Sequence, residues 1–167
     1  MRKPAIRGAC IASALITLFA FGAVPALADK GGAGTETFTE HAHGEVLFSM
    51  PIVNPCTGVP SVLTAVAANE VFHATQQADG DFWITGTAEG TATLTPEEAG
   101  AATYSGHFAS WFGAAQNNRN SVEHDTNTFV LRAADGSQTI IHIKDHLSTN
   151  ANGVVTVEVE RFDAHCR

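Results

Sequence analysis

Eight histidines are more than a chain of this size needs, and their spacing is where metal chemistry would be sought. His41 and His43 stand at i, i+2, which on a strand points both rings the same way, and His142 and His146 at i, i+4 share a face of theirs. Two such pairs on neighbouring strands could offer imidazoles to one zinc or copper ion. The pattern lacks the glutamate spacing and glycines of a cupin His-x-His, because Glu45 follows His43 by only two residues. Polar-face histidines of a solvated sheet would read the same way.

Acid–base chemistry is the second possibility. His124 adjoins Asp125 and Glu123, and Asp145 adjoins His146, but adjacent strand residues face opposite sides, so any working pair must be assembled across strands. An enzyme of the barrel cyclase or isomerase sort would use lumen-facing histidines and acids, with His73 or His107 as the residue whose loss abolishes turnover. The sequence offers no Gly-x-Ser-x-Gly elbow, phosphate-binding glycine loop or free nucleophilic cysteine. Catalytic residues therefore stay unassigned, and no cofactor is expected. Aromatics are the third possibility: Phe82, Trp83, Tyr104, Phe108, Trp111 and Phe112 could pack a core or hold an apolar ligand inside a barrel. Trp83 and Trp111 lie on the parity opposite the aromatic face of their own runs. With Tyr104, His73 and His107 they form the candidate ligand-binding set.

The elements that must position these residues belong to an exported chain. Arg2, Lys3 and Arg7 precede an apolar run from Ile11 to Val24, and Ala26-Leu27-Ala28 supplies the small-x-small pattern of a signal-peptidase site, so residues 1–28 read as a cleaved leader. Cys10 lies before the apolar run, which argues against a lipid anchor. Once the leader is removed, Cys56 and Cys166 remain, and in an oxidising compartment they have one intramolecular pairing. The mature chain has six basic residues against 17 acidic ones, a formal charge of −11. That charge argues against nucleic acid and anionic membrane surfaces as partners. No later stretch is apolar enough for a membrane-spanning helix.

Residues 29–34 read as a flexible lead-in, and 35–167 as one domain. Runs rich in Thr, Val, Ile and Phe alternate with turn clusters such as Ala78-Asp79-Gly80-Asp81, Ala134-Asp135-Gly136-Ser137 and Asn150-Ala151-Asn152-Gly153. Period-two alternation is plain where Ile141, Ile143 and Leu147 oppose His142, Lys144 and His146, and where Val155, Val157 and Val159 oppose Thr156, Glu158 and Glu160. Strands are predicted at 36–50, 61–76, 81–93, 101–114, 121–134, 138–148 and 153–163, the second with a break near Asn69. A short helical turn is placed at 95–99. Seven or eight strands in sequence leave two edges unless the sheet closes. The expected fold is all-β, an antiparallel up-and-down barrel, with a two-sheet β-sandwich as the alternative.

Asn54-Pro55-Cys56-Thr57-Gly58, His73 in the next run, the turn at Asp79-Gly80 and the ending Phe162-Asp163-Ala164-His165-Cys166-Arg167 together resemble a group of small exported bacterial proteins. These carry an Asn-Pro-Cys-Thr/Asn-Gly element, His-bearing strands and a late cysteine. The resemblance covers nearly all of the mature chain and implies a secreted β-barrel with one disulfide, without importing an activity. Val59 stands where many of the group would have an acidic residue. At the level of fold alone, the chain is also similar to lipocalin-like and allene-oxide-cyclase-like barrels. The functional expectation is a secreted, monomeric, non-catalytic binding module for a small apolar ligand or an extracellular protein. The alternatives are a cyclase or isomerase, and a metal-binding protein using His41, His43, His142 and His146.

Overall fold

The structure, a computed structural model, describes residues 36–117 and 119–167. The leader and the lead-in lie outside the described residues. Eight strands follow one another: β1 (Glu36–Ala42), β2 (Val46–Val53), β3 (Pro60–Gln76), β4 (Phe82–Pro96), β5 (Tyr104–Gln116), β6 (Asn120–Arg132), β7 (Gln138–Asn150) and β8 (Val155–Cys166). All pairings are antiparallel, in the order β1-β3-β4-β5-β6-β7-β8, with β2 also on β3. The all-β meander is therefore as expected. Two details differ from the sequence reading. The first run splits at His43-Gly44-Glu45, where the Gly44 N–H donates to the Ala67 carbonyl at 2.6 Å and the Ala67 N–H donates to the Glu45 carbonyl at 2.8 Å. The helical turn expected at 95–99 is absent, because β4 runs on through Pro96 into a bend and turn.

β1 and β2 lie end to end along β3, β1 against its second half and β2 against its first. The second run does not break near Asn69. It carries a bulge there, with the register against β4 shifting between Ala67 and Asn69. A bulge resets the two-residue phase of a strand, so the inward residues pass from Leu63, Ala65 and Ala67 to Glu70, Phe72 and Ala74.

The sheet rolls until its concave side chains form a core. Leu63, Leu94, Tyr104, Phe108, Phe129, Leu131 and Ile141 are buried in one cluster, against which Phe48, Met50 and Ile52 of β2 and Ala164 of β8 pack. Phe48 meets Phe129 edge-on at 5.9 Å between centroids, so β2 and β6 face each other across the roll. The ladder nevertheless stays open: β8 pairs with β7, and no described strand pairs with its other side. This corrects the expectation of a closed barrel. The register aligns inward Glu160 with Asp145 on β8 and β7, and inward Glu40 with Phe72 on β1 and β3, so zipping the two edges would bring acidic strands together. Like charges across a ladder destabilise it.

At the opposite end a covalent link does what the ladder does not. Cys56, in the loop between β2 and β3, is bonded to Cys166 at the end of β8, with Cα atoms 5.6 Å apart at a sequence separation of 110. The loop residues set this up. Buried Asn54 accepts hydrogen bonds at its Oδ1 from the N–H groups of Cys56 (2.9 Å) and Thr57 (3.3 Å). Its carbonyl accepts from the Gly58 N–H at 2.8 Å.

Candidate functional site

The register sorts the chemistry-bearing residues into two populations. His41, His73, His107, His124, His142, His146 and His165 all pair with outward positions and lie on the convex face, as do Trp83 and Trp111. His43 sits in the link between β1 and β2, its Nδ1 2.8 Å from the Ala68 carbonyl. The two pairs expected to share a metal are held apart: β3, β4, β5 and β6 intervene between β1 and β7. No three described His, Cys, Asp or Glu residues are grouped to hold a metal ion. Three of the convex histidines make polar contacts with their neighbours. His73 Nδ1 lies 2.7 Å from Thr39 Oγ1, His142 Nδ1 3.1 Å from Thr128 Oγ1, and His165 Nε2 3.3 Å from Asp163 Oδ2.

His124 stacks on Trp111 with centroids 4.5 Å apart. Its ring lies over Gly113, where a Cβ would come within 2.6 Å of His124 Nε2, so the imidazole fills the space that a side chain would take. The candidate ligand-binding residues do not converge. Tyr104 is buried in the core with its hydroxyl 3.0 Å from Ser137 Oγ, whereas Trp83 and Trp111 are 40% and 48% exposed on the other face. His107 lines a shallow convex depression of about 530 Å³ with Glu89, Thr91, Thr128 and Val130, away from Tyr104.

The concave face holds the second population, which is acidic. Asp125 on β6 and Asp145 on β7 are direct Cα partners, and their carboxyls lie close enough to shift each other's ionisation. Their register is set by the turn between the strands. There the Ala133 N–H donates to the Ser137 carbonyl at 2.9 Å, and Asp135 Oδ1 accepts from the Ser137 N–H at 2.9 Å and lies 2.6 Å from its Oγ. Asp125 and Asp145 are equally distant from Asp135 in sequence. Once that turn forms, they must meet on the same face.

Around the pair, the register places Phe112 of β5 beside Asp125, Glu160 of β8 beside Asp145, and Asn127 and Ser110 opposite each other one pair further along. Phe112 belongs to a second, smaller apolar cluster with Ala74 and Ile84, flanked by Phe72, Phe82 and Ala114. Gly86 lies between Phe72 and Phe112, and a Cβ there would sit 2.8 Å from Phe72 Cβ and collide with the Phe112 ring. Only glycine lets both rings cover the strand. Glu70 projects from β3, between the main core and this second cluster, and is buried.

Burial raises the carboxyl pKa of each of these acids, because the charged form loses its hydration. For Glu70, desolvation is reinforced by the charges of Glu45 and Glu40. For Asp125, desolvation outweighs the hydrogen bonds with Asn127 and Asp145. Asp145 is pushed up to about 6 by burial first, then by the charges of Asp125 and Glu160. The two carboxyls lie close enough to titrate as a coupled pair. No cation of the strands meets them: Arg132, Lys144 and Arg161 all pair with outward positions.

Comparison with known proteins adds no precedent. No protein-family model, curated protein or solved structure matches the chain. The site therefore stands on its geometry: a belt of Glu70, Ser110, Asn127, Asp125 and Asp145 across the concave face, bordered by Phe72 and Phe112.

Inspection of neighbouring residues could not find this belt, because its members lie on four strands. Two signals were present. The Asp135-Gly136 turn gives the hairpin register, which pairs Asp125 with Asp145. The break near Asn69 marks the phase change that turns Glu70 inward.

Proposed function

We propose that the protein is a secreted, non-catalytic binding module that takes a small ligand on its concave face, with the ligand's apolar part against Phe72 and Phe112. The observation that carries this reading is the belt itself. Polar groups inside a rolled sheet cost stability unless something satisfies them, and a concave surface combining aromatic walls with a few convergent polar groups is the usual form of a small-molecule site. Secretion is supported by the leader pattern of residues 1–28 and by the disulfide, which suits an oxidising compartment. No described helix is long and apolar enough to cross a membrane.

A fluorescence titration with neutral N-phenyl-1-naphthylamine tests the reading. Saturable binding at one site per chain is expected, lost in Ser110→Trp, whose indole would fill the belt, while far-ultraviolet circular dichroism stays unchanged. Absence of saturable binding to the wild type, or undiminished binding by the variant, contradicts it. Native mass spectrometry of the chain secreted by its own source tests the compartment. A mass lacking residues 1–28, and two hydrogens below the reduced form, is expected.

One observation favours a second reading, an enzyme of the cyclase or isomerase sort. A carboxyl pair whose pKa values are both raised by partial desolvation can act as acid and base near neutral pH. In that case Asp145→Asn would abolish turnover while leaving ligand stoichiometry intact, whereas in a binding protein only affinity changes.

A further inference from the structure

We infer that the ligand of the concave site is an organic cation, an ammonium or guanidinium group seated against Asp125 and Asp145 with its apolar body on Phe72 and Phe112. The inference rests on the binding reading above and specifies its chemistry.

Three independent features point to positive charge. Asp125 Oδ1 is buried and without a hydrogen-bond partner among the described residues, and the Glu70 side chain, only 8% exposed, is buried on the same face. A buried carboxylate is normally paired or hydrogen-bonded. The basic residues of the described strands, Arg132, Lys144 and Arg161, all take outward positions, so no basic side chain of those strands neutralises the belt. The ion pair formed by described residues, His165 with Asp163, also lies on the convex side.

The spread of the acids decides which cation. A calcium ion takes six to eight oxygens at about 2.3–2.6 Å and zinc about four ligands, and no three described His, Cys, Asp or Glu residues are grouped to hold a metal ion. The carboxyl pair is instead spaced across a β-ladder, where the N–H groups of one ammonium or guanidinium can reach both side chains. Glu70 adds negative potential from β3. Phe72 and Phe112 border the acids and supply aromatic surface beside them, which suits the apolar body of such a cation. A neutral or anionic ligand would leave the acids unmet.

The test compares three probes with one apolar chain, octylamine, octan-1-ol and octanoate, each displacing N-phenyl-1-naphthylamine from the oxidised mature protein at neutral pH. Octylammonium is expected to bind at least about tenfold more tightly than octan-1-ol, and octanoate more weakly than either. In the Asp125→Asn, Asp145→Asn double variant the preference for octylammonium should vanish, while octan-1-ol binding, which also reports an intact fold, persists. The preference should also fall with added salt and as the pH drops below about 6, where Asp145 takes up its proton. The acids facing the pair are Glu123 on β6 and Glu158 and Glu160 on β8, and β5 contributes the uncharged Ser110 and Phe112. Around Glu70 stand Glu40 and Glu45. If octan-1-ol or octanoate binds as well as octylammonium to the wild type, the cation inference falls and the apolar site stands. If none of the three displaces the dye, both fall.

Discussion

Toward the disulfide, the concave side chains of β3 to β7 include Leu63, Leu94, Phe129, Leu131 and Ile141, all fully buried. Further along those strands stand Glu70, Ser110, Asn127, Asp125 and Asp145. The first region is made as a core is made. Phe108 and Phe129 stack 6.1 Å apart, each buried aliphatic or aromatic side chain contributes about 1.5–3 kcal/mol, and a disulfide ties the two edges. Two hydroxyls interrupt it, Ser61 donating to the Val59 carbonyl at 3.0 Å and Thr139 buried without a partner. The second region opposes one carboxylate to another and leaves the edges unpaired. A sheet continuous through both regions does not need the second arrangement for folding: leucine at 125 and 145 would suit the roll better. The belt is where stability is given up, and sites that give up stability are where function is to be sought.

Several substitutions sharpen this contrast. The largest effect is expected at the core end. Phe129→Ala removes the ring that joins β2, β5 and β6, and should cost about 3–5 kcal/mol in chemical denaturation. A loss below about 1 kcal/mol would mean that the core is not centred there. Next comes the disulfide. Cys56→Ser should lower stability by about 2–4 kcal/mol, as much as reducing the wild type does, and equal stability of the oxidised and reduced forms would contradict that.

At the belt the sign reverses. Asp145 has a folded pKa of about 6 against an ordinary 3.8, so between those values the folded state holds more protons than the unfolded one. Stability contributed by this group is then fully present below about pH 4 and is lost as pH rises to about 6. Asp145→Asn should raise stability at pH 7 by about 1 kcal/mol, since solvent screening at this half-exposed position reduces the full linkage value. The variant should also flatten the slope between pH 4 and 6, and thermal melts across that range would show it. The smallest effects belong to the convex face. His107→Ala, on an exposed position, should change stability by no more than about 0.5 kcal/mol, and a larger loss would give that face a structural role it does not have here.

The contrast between the two regions also separates what a sequence shows from what it hides. Alternation such as Ile141, Ile143 against His142, Lys144 is local, so strands and turns could be read directly. The pairing of Cys56 with Cys166 followed from their being the two cysteines left after the leader. Whether the ladder closes depends on what the two edges present to each other, and the inward acids of β1 and β8 acquire that meaning only once rolled. Glu70 was hidden by one extra residue, because a single bulge at Ala68 reverses which side of β3 is inside. Asp125 and Asp145 were hidden because each was weighed against its own neighbours, His124 and His146, which the pleat sends to the opposite face. The histidines drew attention by number, and the register spreads them over a convex surface.

The most direct test of the central claim, that the belt is held at the expense of stability, is urea unfolding of the Asp125→Asn, Asp145→Asn double variant beside the wild type at pH 7 and pH 4.5. The expected result is a variant more stable than the wild type at pH 7, with the two closer together at pH 4.5, where Asp145 of the wild type holds its proton. A variant less stable than the wild type at pH 7 would mean that the pair is part of what holds the sheet together, and would contradict the account.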